Sequence, residues 1–166
     1  MKAVVSVLQA VLIFAIAASL VILFLPVIFS FIQNSIDISE SSSVRQQLEL
    51  CNDKILETAR TGTQSTCTFS IQSFGRGGIS LKNDGIYYNL TSEAEICDQT
   101  DWVEITPEKH VWLKCDLQDS RKIYQLRWSS PNEIIFELGD RQTGSILEMN
   151  RRNVTTDRTY LFVNFR

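Results

Sequence analysis

The sequence predicts an α+β protein. A long N-terminal hydrophobic helix, continuing to about residue 60, is followed by an antiparallel β-sheet or small β-sandwich head. Three observations carry that reading. The 34 residues from Ala3 to Ile36 contain no charged side chain. From Val44 to Ala59 apolar residues recur at helical spacing. From Thr66 onward the apolar residues fall instead in short alternating runs separated by turn residues. Domain boundaries follow: residues 1–36 as a transmembrane or filament-core helix, 37–62 as a junction and amphipathic helix, and 63–166 as an extracellular β-rich head.

As a helix, the uncharged stretch would be ~51 Å long at 1.5 Å per residue. A bilayer's hydrocarbon core is about 30 Å thick, and ~20 apolar residues span it. The surplus of Leu, Ile, Phe and Val needs a second place to be buried. The run is far longer than a secretory signal's apolar region, and no Ala-x-Ala site follows it. It is apolar all round, so burial is expected on every side.

The polar stretch Asp37-Ile38-Ser39-Glu40-Ser41-Ser42-Ser43 suits a junction, with a distortion expected around Ser39 to Ser43. Ser43 and Gln46 match a capping box. Val44, Leu48, Cys51, Ile55 and Ala59 then mark one face of a helix that lies on a sheet. Thr61-Gly62 is its stop signal. Strands are expected over 67–72, 79–82, 86–90, 102–105, 111–115, 122–128, 133–138 and 159–165. Asn83-Asp84-Gly85 marks a hairpin. The final run alternates apolar residues on both faces and reads as a strand buried on both. Trp102, Trp112 and Trp128 are expected to help fill the core.

Charge and cysteine usage narrow the function classes. Past the helix the chain carries 15 Lys+Arg against 19 Asp+Glu, with no basic stripe. Nucleic-acid binding has no electrostatic footprint. Cys51, Cys67, Cys97 and Cys115 all lie in the head, with 15, 29 and 17 residues between successive ones. An even count at those spacings, with one histidine (His110), reads as two disulfides in an oxidising compartment and not as a zinc site. Three pairings are possible; proximity favours Cys51–Cys67 and Cys97–Cys115. Asn89-Leu90-Thr91 and Asn153-Val154-Thr155 are glycosylation sequons and fit an external head. Lys2 and the α-amino group precede the helix, which places the N-terminus on the cytoplasmic side and the head outside.

Within the helix, Ser6, Ala15, Ala18 and Ser19 are small enough for close helix approach. Gln9 is the one strongly polar residue deep in the run; its amide either bonds a neighbouring helix or sits wet near the interface. Pro26 removes a backbone donor and crowds the carbonyl of Ile22, predicting a kink.

The opening Lys2-Ala3-Val4-Val5-Ser6-Val7-Leu8, running straight into a long apolar helix, resembles the start of archaeal type IV pilins, within the wider type IV pilin and archaellin superfamily. The resemblance covers about ten residues in detail and some 35 in character. It implies a membrane-held precursor, trimmed at the cytoplasmic face with Lys2–Ala3 as the processing site. It further implies assembly through the helix into filaments, with the filament-assembly machinery as partner. No acidic residue lies near the helix start, so the N-terminal salt bridge of bacterial pilins does not carry over.

No enzyme constellation is present in the sequence: no Gly-x-Ser-x-Gly, no phosphate loop and no metal-ligand spacing. Gly75-Arg76-Gly77-Gly78 precedes a strand, not a helix, and reads as a turn. Asp98, Asp101 and Glu104 lack a calcium-loop pattern and read as a solvated rim. The chain is therefore expected to be neither an enzyme nor a cofactor carrier. Two function classes remain. One is a homo-oligomeric surface filament subunit whose heads serve adhesion or motility. The other is a solitary membrane-anchored binding module, or an accessory component of a filament machine.

Overall fold

The computed structural model describes residues 2–71, 76–94, 96–118 and 121–166; the side chains of 2–8, 10 and 118 lie outside that description. One helix, α1 (Lys2–Thr61), precedes the strands β1 (Ser65–Thr68), β2 (Gly77–Lys82), β3 (Gly85–Ser92), β4 (Val103–Thr106), β5 (Val111–Gln118), β6 (Arg121–Ser129), β7 (Ile134–Leu138), β8 (Ile146–Val154) and β9 (Thr159–Phe165). A single 3-10 turn, Pro107–Lys109, joins β4 to β5. The chain divides into two compact units, one ending at Ser35 and one spanning Ile36–Arg166.

α1 passes through 37–43 without a break, which corrects the expected distortion there. Ser43 is therefore no N-cap: it sits mid-helix, and its Oγ accepts from Gln47 Nε2 at 3.1 Å. The hydroxyl of Ser41 is absorbed by the helix itself, donating to Ile38 O at 2.8 Å. Helix continuation satisfies every backbone donor that a junction would have left to water. The helix stops where expected. Gly62 adopts φ 78°, and its N–H bonds Thr58 O at 2.9 Å, the left-handed closure that glycine permits. Arg151 Nη1 donates to Ala59 O at 3.2 Å and to Arg60 O at 2.8 Å, covering two of the terminal carbonyls.

The strands form two sheets, β1-β8-β9-β7 and β2-β3-β6-β5-β4. All neighbours are antiparallel except β7 and β9. The β2–β3 hairpin turns through Asn83 and Asp84, with Lys82 opposite Gly85. A side chain at Gly85 would lie 1.9 Å from Trp128 O, so only glycine fits. Two expectations shift. β1 covers 65–68 instead of 67–72, residue 72 lying outside the described residues. β8, in the interior of its sheet, was not expected at all. Its inward residues Leu147 and Met149 are fully buried, but Asn150, Arg151, Arg152 and Asn153 carry low strand propensity and mask the alternation.

Inside the second unit the core is continuous. Val44, Leu48, Cys51 and Ile55 of α1 join Ile86, Tyr88, Leu90, Leu126 and Trp128 of the five-stranded sheet and Phe136, Leu147, Leu161, Val163 and Phe165 of the four-stranded one. Trp128 stacks on Phe136 at 5.4 Å between ring centroids, tying the sheets face to face. Along one margin the sheets are bridged through Leu81 N–H to Gln142 O, 2.8 Å. The other margin is closed by α1. On the β1 side, Lys54 Nζ donates to Thr66 O at 2.7 Å, and Gln47 Oε1 accepts from Ser70 N–H at 2.9 Å. On the β4 side, Thr106 Oγ1 donates to Glu49 Oε1 at 2.8 Å and accepts from Arg45 Nη2 at 3.2 Å. In β9, Leu161, Val163 and Phe165 are fully buried, whereas Tyr160, Phe162 and Asn164 are only half-buried, so the strand is core on one face, not both.

Both favoured disulfides form. Cys51–Cys67 ties α1 to β1 (Cα–Cα 5.6 Å) and Cys97–Cys115 ties the segment after β3 to β5 (6.1 Å). Loops of this length are worth about 3 kcal/mol each in the chain-entropy view.

Five buried polar residues, Asp37, Glu40, Ser41, Asn52 and Thr58, lie on the helix face that packs against the strands. Asp37 accepts both guanidinium nitrogens of Arg76 (2.8 and 3.1 Å) and the Ser92 hydroxyl (2.5 Å). Removing one partner of a buried pair leaves the other charge uncompensated. Asp37→Asn should therefore lower stability by about 3 kcal/mol, the low end for such pairs because Arg76 is partly wet. Chemical denaturation of the detergent-solubilised full chain measures this; an unchanged midpoint would contradict it.

Candidate functional site

The first candidate is the surface of the N-terminal unit. From Val11 to Ile32 its large side chains stand exposed, Phe14 at 76%, Ile22 at 70% and Phe31 at 73%. The helix is long and apolar enough to cross a membrane. Two of its hydroxyls are spent internally. Ser19 Oγ donates to Ala15 O at 2.8 Å, and Ser35 Oγ to Phe31 O at 2.9 Å. Hydroxyls back-bonded to the i−4 carbonyl present little polarity outward. Ala15 and Ser19 are exposed and Ala18 half-exposed, at i, i+3 and i+4, so the three share a face. Gln9 is exposed. α1 continues through Pro26 as an unbroken helix. Ser6 lies in α1, but its side chain, like those of Lys2 and Ala3, lies outside the described residues.

The second candidate is the seam between α1 and the five-stranded sheet, whose first residues, 37–43, the sequence reading assigned to a polar junction. Three of the buried polar residues of α1, Asp37, Glu40 and Asn52, find partners on the side of this sheet. Beyond the Asp37 cluster, Tyr88 Oη donates to Glu40 Oε1 at 2.6 Å, and Trp128 Nε1 donates to Asn52 Oδ1 at 3.0 Å. A signal was present: 37, 40, 41, 44, 48, 51, 52, 55 and 58 continue one helical stripe, but a stripe that begins on Asp and Glu does not read as a buried face. The arrangement positions the helix; it leaves no nucleophile or base facing open space.

A third feature is a groove of about 410 Å³ lined by Gln47, Leu50, Cys51, Asp53, Lys54, Cys67 and Thr68. Its charged groups are engaged. Lys54 is bonded to Thr66 O, and Asp53 accepts from Lys109, which together with Asn52 holds the Asp53 carboxyl below the usual range against the opposing effect of burial.

The fourth is the outer face of the five-stranded sheet. Only Trp128 of the three tryptophans is core. Trp102 and Trp112 lie outside it, half-buried, around Arg127: the guanidinium carbon is 4.8 Å from the Trp102 centroid and 5.5 Å from that of Trp112. Tyr87 meets Trp102 edge-on at 6.4 Å. Alternation on β3, β5 and β6 sends Tyr87, Trp112 and Arg127 away from the core, and Trp102, just before β4, packs over the same guanidinium, which composition alone could not tell. The sequons also resolve: Asn89 and Asn153 are both exposed, and Asn153 Oδ1 accepts from Val154 N–H at 2.9 Å. His110 takes a left-handed backbone (φ 54°) closing the 3-10 turn. Asp98 is exposed and lies 3.8 Å from Lys122.

Comparison with known proteins finds no family model, no curated protein and no solved structure that matches this chain. The layout stands on its own: a long apolar N-terminal helix and a disulfide-bonded β head, consistent with type IV pilin-like proteins and with a surface or membrane-anchored protein.

Burial sets the seam's response to alkali. Desolvation, then the Glu40 carboxylate, pushes the Tyr88 phenol far above its usual value; desolvation pushes Tyr124 up to about 12 from 10.0. Unfolded phenols lose their protons near pH 10 while the folded ones keep them, so the unfolded state binds fewer protons and stability falls as pH rises through that window. Tyr124→Phe should cost at most about 1 kcal/mol at neutral pH and make the loss between pH 10 and 12 shallower. Denaturant midpoints at successive pH values read this, and an unaltered slope would contradict it.

Proposed function

We propose that the chain is a structural subunit of an extracellular type IV pilus-like filament. It is held in the membrane as a precursor, with its N-terminus on the cytoplasmic side, and is then polymerised through its N-terminal helix by a filament-assembly machinery. The head forms the outer surface, for adhesion or motility. The carrying observation is the exposed, charge-free helix surface, longer than one bilayer crossing requires. Moving such a helix from lipid into a bundle of copies exchanges one apolar environment for another. Close approach at Ala15, Ala18 and Ser19 would then supply cohesion. Two disulfides support a head outside the cytoplasm. No catalytic role is proposed.

Substitution on the small-residue face tests this. Ala15→Glu introduces a charge that a bundle core cannot solvate, and Ala18→Phe adds bulk that lipid accepts but close packing does not. Both variants are expected to keep an intact disulfide-bonded head and to lose filaments, read by sedimentation and microscopy. Filaments at wild-type yield from both would contradict the proposal and favour a solitary anchored module.

A further inference from the structure

We infer that Asn89 is an N-glycosylation site whose sugar lies across the aromatic–arginine platform on the outer face of the five-stranded sheet. The inference rests on the reading that the head lies outside the cytoplasm. Three observations meet at this position. Asn89-Leu90-Thr91 is an acceptor triplet, and strand alternation puts Tyr87, Asn89 and Thr91 on one face of β3. Asn89 is exposed, and across β2 its register partner is Gly78, where an added Cβ would meet no atom within 4 Å. That flank is open ground. On the other flank Asn89 faces Gln125 of β6, while Tyr87, ~7 Å along the strand, faces Arg127, which in turn faces Trp112.

The platform has the chemistry of a sugar bed. A pyranose offers an apolar C–H face and a rim of hydroxyls. Aromatic rings cover the first, and planar polar side chains such as Gln125 and Arg127 bond the second. Arg127 Nε is buried without a hydrogen-bond partner, a cost that calls for an explanation; a hydroxyl oxygen arriving beside the two tryptophans would supply an acceptor after a small shift of the rings. The outer face is the side of the sheet turned away from α1, because Tyr88 and Trp128, on its inner side, bond Glu40 and Asn52 of the helix.

The transfer requires a sugar activated at C1 by a lipid-linked phosphate. The C1–O bond to phosphate breaks, a C1–Nδ2 bond to Asn89 forms, the amide loses one proton, and the lipid phosphate leaves with the bonding electron pair.

The test uses the full chain purified from its own cell envelope. Glycopeptide mass spectrometry is expected to find sugar on Asn89; a bare Asn89 overturns the inference. With Asn153 unaltered throughout, Asn89→Gln should lower the thermal midpoint by several degrees when Tyr87 is present and leave it unmoved in a Tyr87→Ser background. Equal drops in both backgrounds overturn the docking. If Tyr87→Ser does not fold, removal of the glycan from the wild-type protein should shift tryptophan emission to the red as Trp102 and Trp112 become wetter; an unmoved spectrum likewise overturns it. Cysteine status separates the two readings. Bare Asn89 with both disulfides intact defeats this inference alone, whereas free thiols defeat the external location itself.

Discussion

From Ala3 to Ile36 the chain offers nothing that water can solvate except a few hydroxyls, one proline-freed carbonyl and the amides of Gln9, Gln33 and Asn34. Keeping that surface out of water is the constraint the rest of the protein answers. A fully exposed Leu, Ile or Phe forgoes roughly 1.5–3 kcal/mol relative to burial. Ile28, Phe29, Phe31 and Ile32, all exposed, would alone forgo on the order of 10 kcal/mol, comparable to the whole stability of an ordinary domain. No single-span membrane accommodates the entire run without tilt or distortion, whereas a bundle of identical helices has no thickness limit.

The head is built around its own stretch of the helix. From Asp37 to Thr61 the second unit grips that stretch with a bidentate arginine, a tyrosine, a tryptophan and a disulfide. Polar groups suit this task better than more leucine. Each has a defined partner and direction, so they fix the rotation and height of the helix where an all-apolar seam would tolerate sliding. The same helix segment also bonds Thr66 of β1 and the Thr106 hydroxyl of β4, so both sheets are tied to it.

The fold class was legible because its signals were local. The uncharged run, the 44-48-51-55 stripe, the Asn83-Asp84 turn and most strands report their own conformation. Proximity also picked the disulfide pairs the structure contains. What escaped depends on partners distant in sequence. Asp37 and Glu40 look like solvent-facing residues until Arg76, Ser92 and Tyr88 are brought to them from 39, 55 and 48 residues away. Ser43 looked like a cap because a capping box reads the same whether or not a helix has already begun. β8 was hidden by its own outward Asn and Arg residues. Trp102 and Trp112 were assigned to the core on hydrophobicity, yet strand parity puts Trp112 on the outer face with Arg127, and Trp102, just before β4, packs over the same guanidinium.

Electron microscopy of material sheared from cells tests the central claim most directly. The account predicts thin filaments whose constituent is this chain, their interior filled by its apolar helices. Recovery of monomers alone, with every helix still embedded singly in the membrane, would contradict it.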